Sequence, residues 1–228
     1  MELQVGIRAM LRQAFDLLST TYFDFPKKQK RSEVYTYSIC VSQEIKASPS
    51  IENKLFNLSR ASSMINEYVI MPHEVFSFWH VIGDPKKGFK KGRVIIKGKV
   101  SEETGGGLCQ VSGLIYHVSL LAGLEIIERH NHSIDLYTDE TRYTPLGTDA
   151  TVVYGYKDLR VKNNNPFPVS FQLLPGTDSI EIELLSPKPI REHVLSFNIE
   201  RDENSTYVRI VDEENNVLSQ SRYKFFTS

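Results

Sequence analysis

The sequence predicts an α+β fold, with a few helices packed on a mostly antiparallel sheet and a small C-terminal β-appendage. Three observations predict it. Apolar residues recur at helical spacing in separate segments of the first 122 positions. From there on the chain is mostly short alternating runs rich in β-branched and aromatic residues, broken by turn clusters. Pro187 and Pro189 then mark a boundary before three more strand-like runs. Separate helical and strand-rich stretches, without a regular βαβ alternation, are the pattern of α+β proteins.

The elements are justified in order. Ile7, Met10, Leu11, Ala14, Leu17 and Leu18 lie on one helical face of the segment Val5 to Ser19. Lys27-Lys28-Gln29-Lys30-Arg31 is a short basic run and reads as a solvated linker. Tyr35 to Val41 alternates and predicts a strand, in which Cys40 packs as a small core residue. Pro49 to Tyr68 predicts a helix with Ser50 as N-cap and a stripe at Ile51, Leu55, Leu58, Ala61, Ile65 and Tyr68. Val75 to Trp79 and Val94 to Val100 predict strands. A further helix runs from about Leu108 to Ala122, with Leu108, Val111, Ile115, Val118 and Ala122 buried and Gly123 stopping it. Leu124 to His130 predicts a strand, and continued extension would put His130 and His132 on one side. Strands are expected at Ala150 to Tyr154, Leu159 to Asn163, Val169 to Leu174 and Ser179 to Leu185. The appendage should hold Val194 to Ile199, Thr206 to Asp212 and Val217 to Phe225. The expected division is therefore 1–48 (helix and strand packed on the core), 49–186 (core domain) and 187–228 (β-appendage).

Composition narrows the class. A chain of 228 residues with 40% hydrophobic content can bury a sizeable core. A net charge of −1 predicts no bulk attraction to nucleic acid or anionic membrane. Two cysteines, Cys40 and Cys109, are too few for a disulfide scaffold. The first residues lack a basic stretch followed by an apolar core, and no window offers a membrane span. The chain is expected to be cytoplasmic.

The chemistry-bearing stretch is Glu103-Thr104-Gly105-Gly106-Gly107-Leu108-Cys109-Gln110-Val111-Ser112. Three glycines lead into a helix with a thiol in its first turn. There the helix dipole and unpaired N–H groups favour thiolate. Arg129-His130-Asn131-His132-Ser133 and Gly147-Thr148-Asp149-Ala150-Thr151 follow. In a nucleophile reading, Cys109 attacks a carbonyl carbon, His130 or His132 accepts its proton, and Asp149 orients the imidazole. Backbone N–H groups near Gly107 to Gln110 would hold the oxyanion. In an alternative metal reading, His130 and His132 bind zinc with Cys109 or Asp149 as third ligand; the leading reading needs no metal or cofactor. In a binding reading, Gly105, Gly106, Gly107 and Gln110 form an anion pocket, with donors from Arg129, Arg160 and Asn163. The acids Glu103, Glu128, Asp149 and Asp158 oppose an anionic ligand. The glycine run lacks the Gly-Lys-Ser/Thr of a P-loop. Tyr116, Tyr154 and His80 are candidates to line the same cleft, with packing as the commoner role for such residues.

Five blocks in order resemble the VanW family. They are Glu74-Val75-Phe76-Ser77-Phe78-Trp79 with Val81-Ile82-Gly83, Gly105 to Ser112, Glu128 to Ser133, Gly147 to Val152, and Asp158 to Asn164. The resemblance runs from about Asn53 to Leu174, so the 49–186 segment reads as a VanW-like core domain. The family is named for an accessory protein of vancomycin (glycopeptide) resistance clusters, and its members are bacterial. The resemblance implies a setting in cell-wall metabolism, with a peptidoglycan-derived peptide or wall precursor as the partner. Many members are exported or membrane-anchored, from which the expected cytoplasmic location departs.

Overall fold

A computed structural model describes residues 24–29, 31, 34–96, 99–135, 142 and 144–225, together with 11 and 14. Apart from positions 11 and 14, the helix expected at 5–19 lies outside the described residues. In chain order the elements begin with β1 (Tyr37–Glu44), α1 (Ile51–Ile65), β2 (Val75–Ser77) and α2 (Phe78–Ile82). The hairpin β3 (Lys91–Ile96) and β4 (Lys99–Thr104) leads to α3 (Leu108–Leu121) and β5 (Glu125–Glu128). Then come β6 (Arg160–Lys162), β7 (Ser170–Pro175) and β8 (Ser179–Ser186). The last three strands are β9 (Ser196–Arg201), β10 (Ser205–Val211) and β11 (Val217–Lys224). The fold is α+β, and its strand pairs in these sheets are antiparallel.

Two-residue periodicity builds the main sheet, ordered β1-β8-β7. Ile39, Val41, Ile180, Ile182, Leu184, Phe171 and Leu173 face inward and are buried. Helices α1 and α3 pack against this sheet. Nearly every side of α3 is buried, so it forms the centre of the core, and Leu114, Ile115, Tyr116 and Val118 are fully covered. Each such aliphatic side chain contributes about 1.5–3 kcal/mol of burial. A second sheet, β2-β6-β5, joins through Phe76, which meets Phe171 edge-on at 5.3 Å. The C-terminal sheet, β11-β10-β9, adds Val208, Ile210 and Tyr223 to the same core cluster.

Several expectations are corrected. Cys40 is exposed, because it alternates outward between the buried Ile39 and Val41 and stands opposite Glu183. Ser50 holds the N-cap position of α1, but its side chain makes no capping bond. The strand expected over 75–79 stops at Ser77 and turns into α2. Ser77 Oγ accepts from the His80 N–H, and Asp158 accepts from the Trp79 N–H at 3.1 Å. Two first-turn donors are thereby satisfied from outside the helix. Val94 to Ile96 and Lys99 to Val100 belong to two paired strands rather than one. Residues 150–154 form no ladder beyond an isolated bridge of Val153 with Lys157. Their backbone is bound instead by Ser112 Oγ, which donates to Ala150 O at 2.7 Å, and by His130 O, which accepts from Thr151 N at 2.7 Å.

Candidate functional site

The glycine run has a packing reason. A Cβ on Gly106 would lie 2.6 Å from Gly92 Cα on β3, so the turn and the hairpin touch backbone to backbone. Gly107 is the N-cap of α3 at φ 100°, a left-handed conformation suited to glycine. The buried Asn57 of α1 donates to the carbonyls of both Gly106 (3.0 Å) and Lys90 (2.9 Å). This pins the start of α3, and with it Cys109. Gln110, the next residue, commits its side-chain amide to Glu44 O at 2.9 Å.

One face of α3 then carries the site. Residues 109, 112 and 113 stand at i, i+3 and i+4, so they are neighbours on that face. The 149–152 segment lies along it. Cys109 Sγ is 3.9 Å from Val152 O, Ser112 holds Ala150 O, and a Cβ on Gly113 would meet Asp149 Cα at 3.7 Å. Asp149 is thus delivered beside the helix N-terminus although it is forty residues away in sequence.

His132 arrives on the loop after β5. Its Nδ1 is 2.6 Å from Asp149 Oδ2, and the same oxygen accepts its backbone N–H at 2.7 Å. The Cys109 side chain also acts on this imidazole, in the direction that favours its charged form. With Nδ1 on the carboxylate, Nε2 is the nitrogen left for sulfur. Burial alone would lower the basicity of His132. The Asp149 hydrogen bond, the Cys109 side chain and the Asp149 charge outweigh burial and raise its pKa to about 10. Asp149 shows the converse. Burial would raise it, but the hydrogen bond from His132 and the charge of Arg129 hold it down at about 2.

The other oxygen of Asp149 has two donors of its own, Arg129 Nη2 at 3.0 Å and the Tyr223 hydroxyl. Arg129 further donates to Asp149 O (2.8 Å), Gly147 O (2.8 Å) and Ser221 Oγ (2.6 Å), and lies over the Tyr116 ring at 4.7 Å. Tyr116 is therefore covered core beneath the guanidinium, with 0% exposure.

The remaining candidates lie elsewhere. The chain leaves β5 before the histidines, so His130 and His132 do not share a strand face. His130 Nε2 pairs with Glu128 Oε1 at 3.0 Å. Arg160 is 2% exposed and bonded to Asp158 Oδ2 at 3.1 Å, with Glu128 3.5 Å away. Arg129 and Arg160 both direct their guanidinium groups at partners inside the protein. Asn163 is buried on Ile70 O and Phe167 O, each at 2.9 Å. The two imidazoles sit on different carboxylates, and the described residues hold no group of three or more His, Cys, Asp or Glu arranged for a metal. Trp79 meets the Tyr154 ring edge-on at 5.4 Å and donates to Lys157 O at 2.7 Å, which fixes the turn just beyond Val152. His80 stacks on Phe25 at 4.7 Å.

Sequence reasoning missed Tyr223 and Ser221. The alternation of Val217 to Phe225 does put both on one strand face. Nothing in it says which carboxylate or guanidinium that face meets.

An α+β protein with cysteine, histidine and aspartate gathered at a buried helix N-terminus is the class that fold and site define. The model for VanW like protein matches residues 53–185, more than half of the chain, and the chain belongs to the VanW family. It is 37% identical over 115 residues to the vancomycin B-type resistance protein VanW of Enterococcus faecalis, covering 50% of this chain and 42% of that protein. It is 35% identical over 147 residues to the uncharacterized protein YoaR of Bacillus subtilis, covering 64% and 47%. The chain thus spans less than half the length of these relatives. No solved structure matches. Among the described residues, no helix is long and apolar enough to cross a membrane.

Proposed function

We propose that the protein is a cysteine-nucleophile hydrolase or acyl-transferase acting on peptide or amide bonds of bacterial peptidoglycan or its precursors. The observation that carries this reading is that Asp149 holds the His132 ring at 2.6 Å while its own segment lies along the face of α3 that bears Cys109, with Val152 O 3.9 Å from the sulfur. The name of the Enterococcus faecalis relative, a vancomycin resistance protein, supports a wall-derived substrate.

In this reading the Cys109 thiol gives its proton to the His132 imidazole, the sulfur attacks the carbonyl carbon, and the carbonyl π electrons move to oxygen. The tetrahedral species collapses, the C–N bond breaks, and the leaving amine takes a proton from the His132 imidazolium. A thioester remains on Cys109. Water, or an acceptor amine in the transferase case, then attacks it while His132 removes the proton. The acyl product departs and the thiol is restored. Asp149 stays ionised throughout, because four donors saturate its two oxygens, and it holds the imidazole in one tautomer. The N–H groups at the start of α3 are the nearest donors for the oxyanion.

The test is incubation of purified protein with peptidoglycan-derived peptides, with products followed by mass spectrometry. Turnover by the native chain and its loss in Cys109→Ala is the expected result, and a chelator should leave the rate unchanged. Hydrolysis retained in Cys109→Ala overturns the proposal.

A further inference from the structure

The family-matched segment stops at residue 185, yet the histidine loop is fastened from beyond it. Four successive residues of β11 bind the segment that carries His132 and Asp149. Ser221 Oγ accepts from Arg129 Nη1 at 2.6 Å. Arg222 O accepts from the Asn131 side chain at 2.8 Å. The Tyr223 hydroxyl donates to Asp149 Oδ1. Lys224 N donates to Ser133 O at 2.9 Å, and Ile134 makes a parallel bridge to Lys224. Strand periodicity explains the division of labour. Ser221 and Tyr223 are buried on the inner face, whereas the backbones of Arg222 and Lys224 reach the loop as an edge.

The geometry points to β11 as an integral part of the site, with Tyr223 and Ser221 as positioning residues that aim Asp149 and His132 at Cys109. Neither needs to touch substrate. The inference rests on the cysteine-nucleophile reading of that site.

The physical reason is the donor count on Asp149. A carboxylate that is not fully enclosed can rotate unless both oxygens are held. Oδ2 is held by the backbone and ring of His132, and Oδ1 by Arg129 and Tyr223. The Tyr223 ring is 2% exposed, so the hydroxyl arrives on a side chain with little freedom of its own. Ser221 acts one step further out by fixing the guanidinium. The charged and titratable groups facing this centre are Cys109, Arg129, His132, Asp149, Tyr116 and Tyr223. Removing the hydroxyl shifts the share of the Asp149 charge felt by His132 and loosens the ring together.

The experiment uses the full chain with Tyr223→Phe, Ser221→Ala and, on the outer face of the same sheet, Tyr207→Phe as control. Imidazole nitrogen resonances of His132, identified by their loss in His132→Gln, are followed against pH. Cys109 alkylation by iodoacetamide is followed over the same range. Tyr223→Phe is expected to raise the His132 titration midpoint by about half a unit or more and to change the Cys109 alkylation profile with it. Ser221→Ala should do the same to a smaller degree, and Tyr207→Phe should match the native protein. His132 resonances and Cys109 profiles in Tyr223→Phe and Ser221→Ala that superimpose on the native ones overturn the inference. Should Tyr223→Phe not fold, Ser221→Ala decides it. Neither readout requires turnover, so failure of the native chain to cleave any wall fragment would count against the hydrolase reading alone.

Discussion

Two histidine–carboxylate pairs lie two residues apart in this protein, and they differ in only one respect that matters. His130 and His132 have the same side-chain exposure, 37%, and their partners Glu128 and Asp149 are both 19% exposed. Each imidazole is hydrogen-bonded to its carboxylate. Exposure and pairing therefore cannot rank them. The difference is what lies beyond each pair. Glu128 also meets Arg160 and the Asp158 N–H, which tie β5 to β6 and α2. Asp149 instead lies along the face of α3 that bears the thiol, and the Cys109 side chain helps to raise the basicity of His132. An acid–base pair becomes a candidate for chemistry when a third, nucleophilic group is placed beside it, and otherwise it is one more brace.

The sharpest way to break this comparison is to remove each ring in turn. His132→Ala should lower turnover of wall peptides by about 10²–10⁴-fold, the usual range for loss of a positioned acid–base group, whereas His130→Ala should stay within about tenfold. Steady-state kinetics on the two variants checks it. Equal losses would mean that the two pairs are not functionally distinct.

Stability gives the next largest difference. Asp149→Asn leaves Arg129, 6% exposed, without its carboxylate. Stranding a buried charge costs about 3–5 kcal/mol, and urea unfolding should show it. Glu128→Gln should cost less, because Arg160 keeps Asp158.

The pH dependence separates the pairs by sign. Asp149 has its pKa lowered on folding, so its stabilisation is present above the unfolded value near 4 and is lost as pH falls toward about 2. His132 has its pKa raised, so its contribution is complete below about 6.5 and is lost as pH rises toward about 10. Unfolding free energy measured across pH 6–10 should decline, and His132→Gln should flatten that slope. An unchanged slope in His132→Gln would remove the imidazolium from the account.

The smallest effect concerns the two thiols. Cys40 is exposed, yet partial desolvation and then the neighbouring Glu181 raise its pKa to about 11. Cys109 should therefore label with iodoacetamide at neutral pH at least about tenfold faster than Cys40, since thiolate is the reacting form. Glu181→Gln should speed Cys40 by only a few-fold. Peptide-level mass spectrometry distinguishes the sites, and faster labelling of Cys40 would argue against an activated Cys109.

The sequence by itself determined the helices over 51–65 and 108–121 and most strands of the second half. Their periodicities of 3.6 and 2 follow directly from which residues must leave water. It also marked Cys109, His130, His132 and Asp149 as candidates, because unusual residue types cluster in short blocks. Local propensity misjudged Val75 to Trp79, where the β-forming residues Phe78 and Trp79 join a helix because Asp158, some eighty positions later, accepts an N–H group. It misjudged Cys40, whose alternation was legible but whose buried parity depends on which face of the sheet the helices cover. Tertiary structure alone chose His132 over His130 as the ring on which the Cys109 side chain acts, since that depends on where the loop after β5 is fastened. It alone brought Tyr223 to Asp149 across 74 positions of chain. A sequence pattern records which face of an element is buried, whereas the partner that buries it is fixed only when the whole core packs at once.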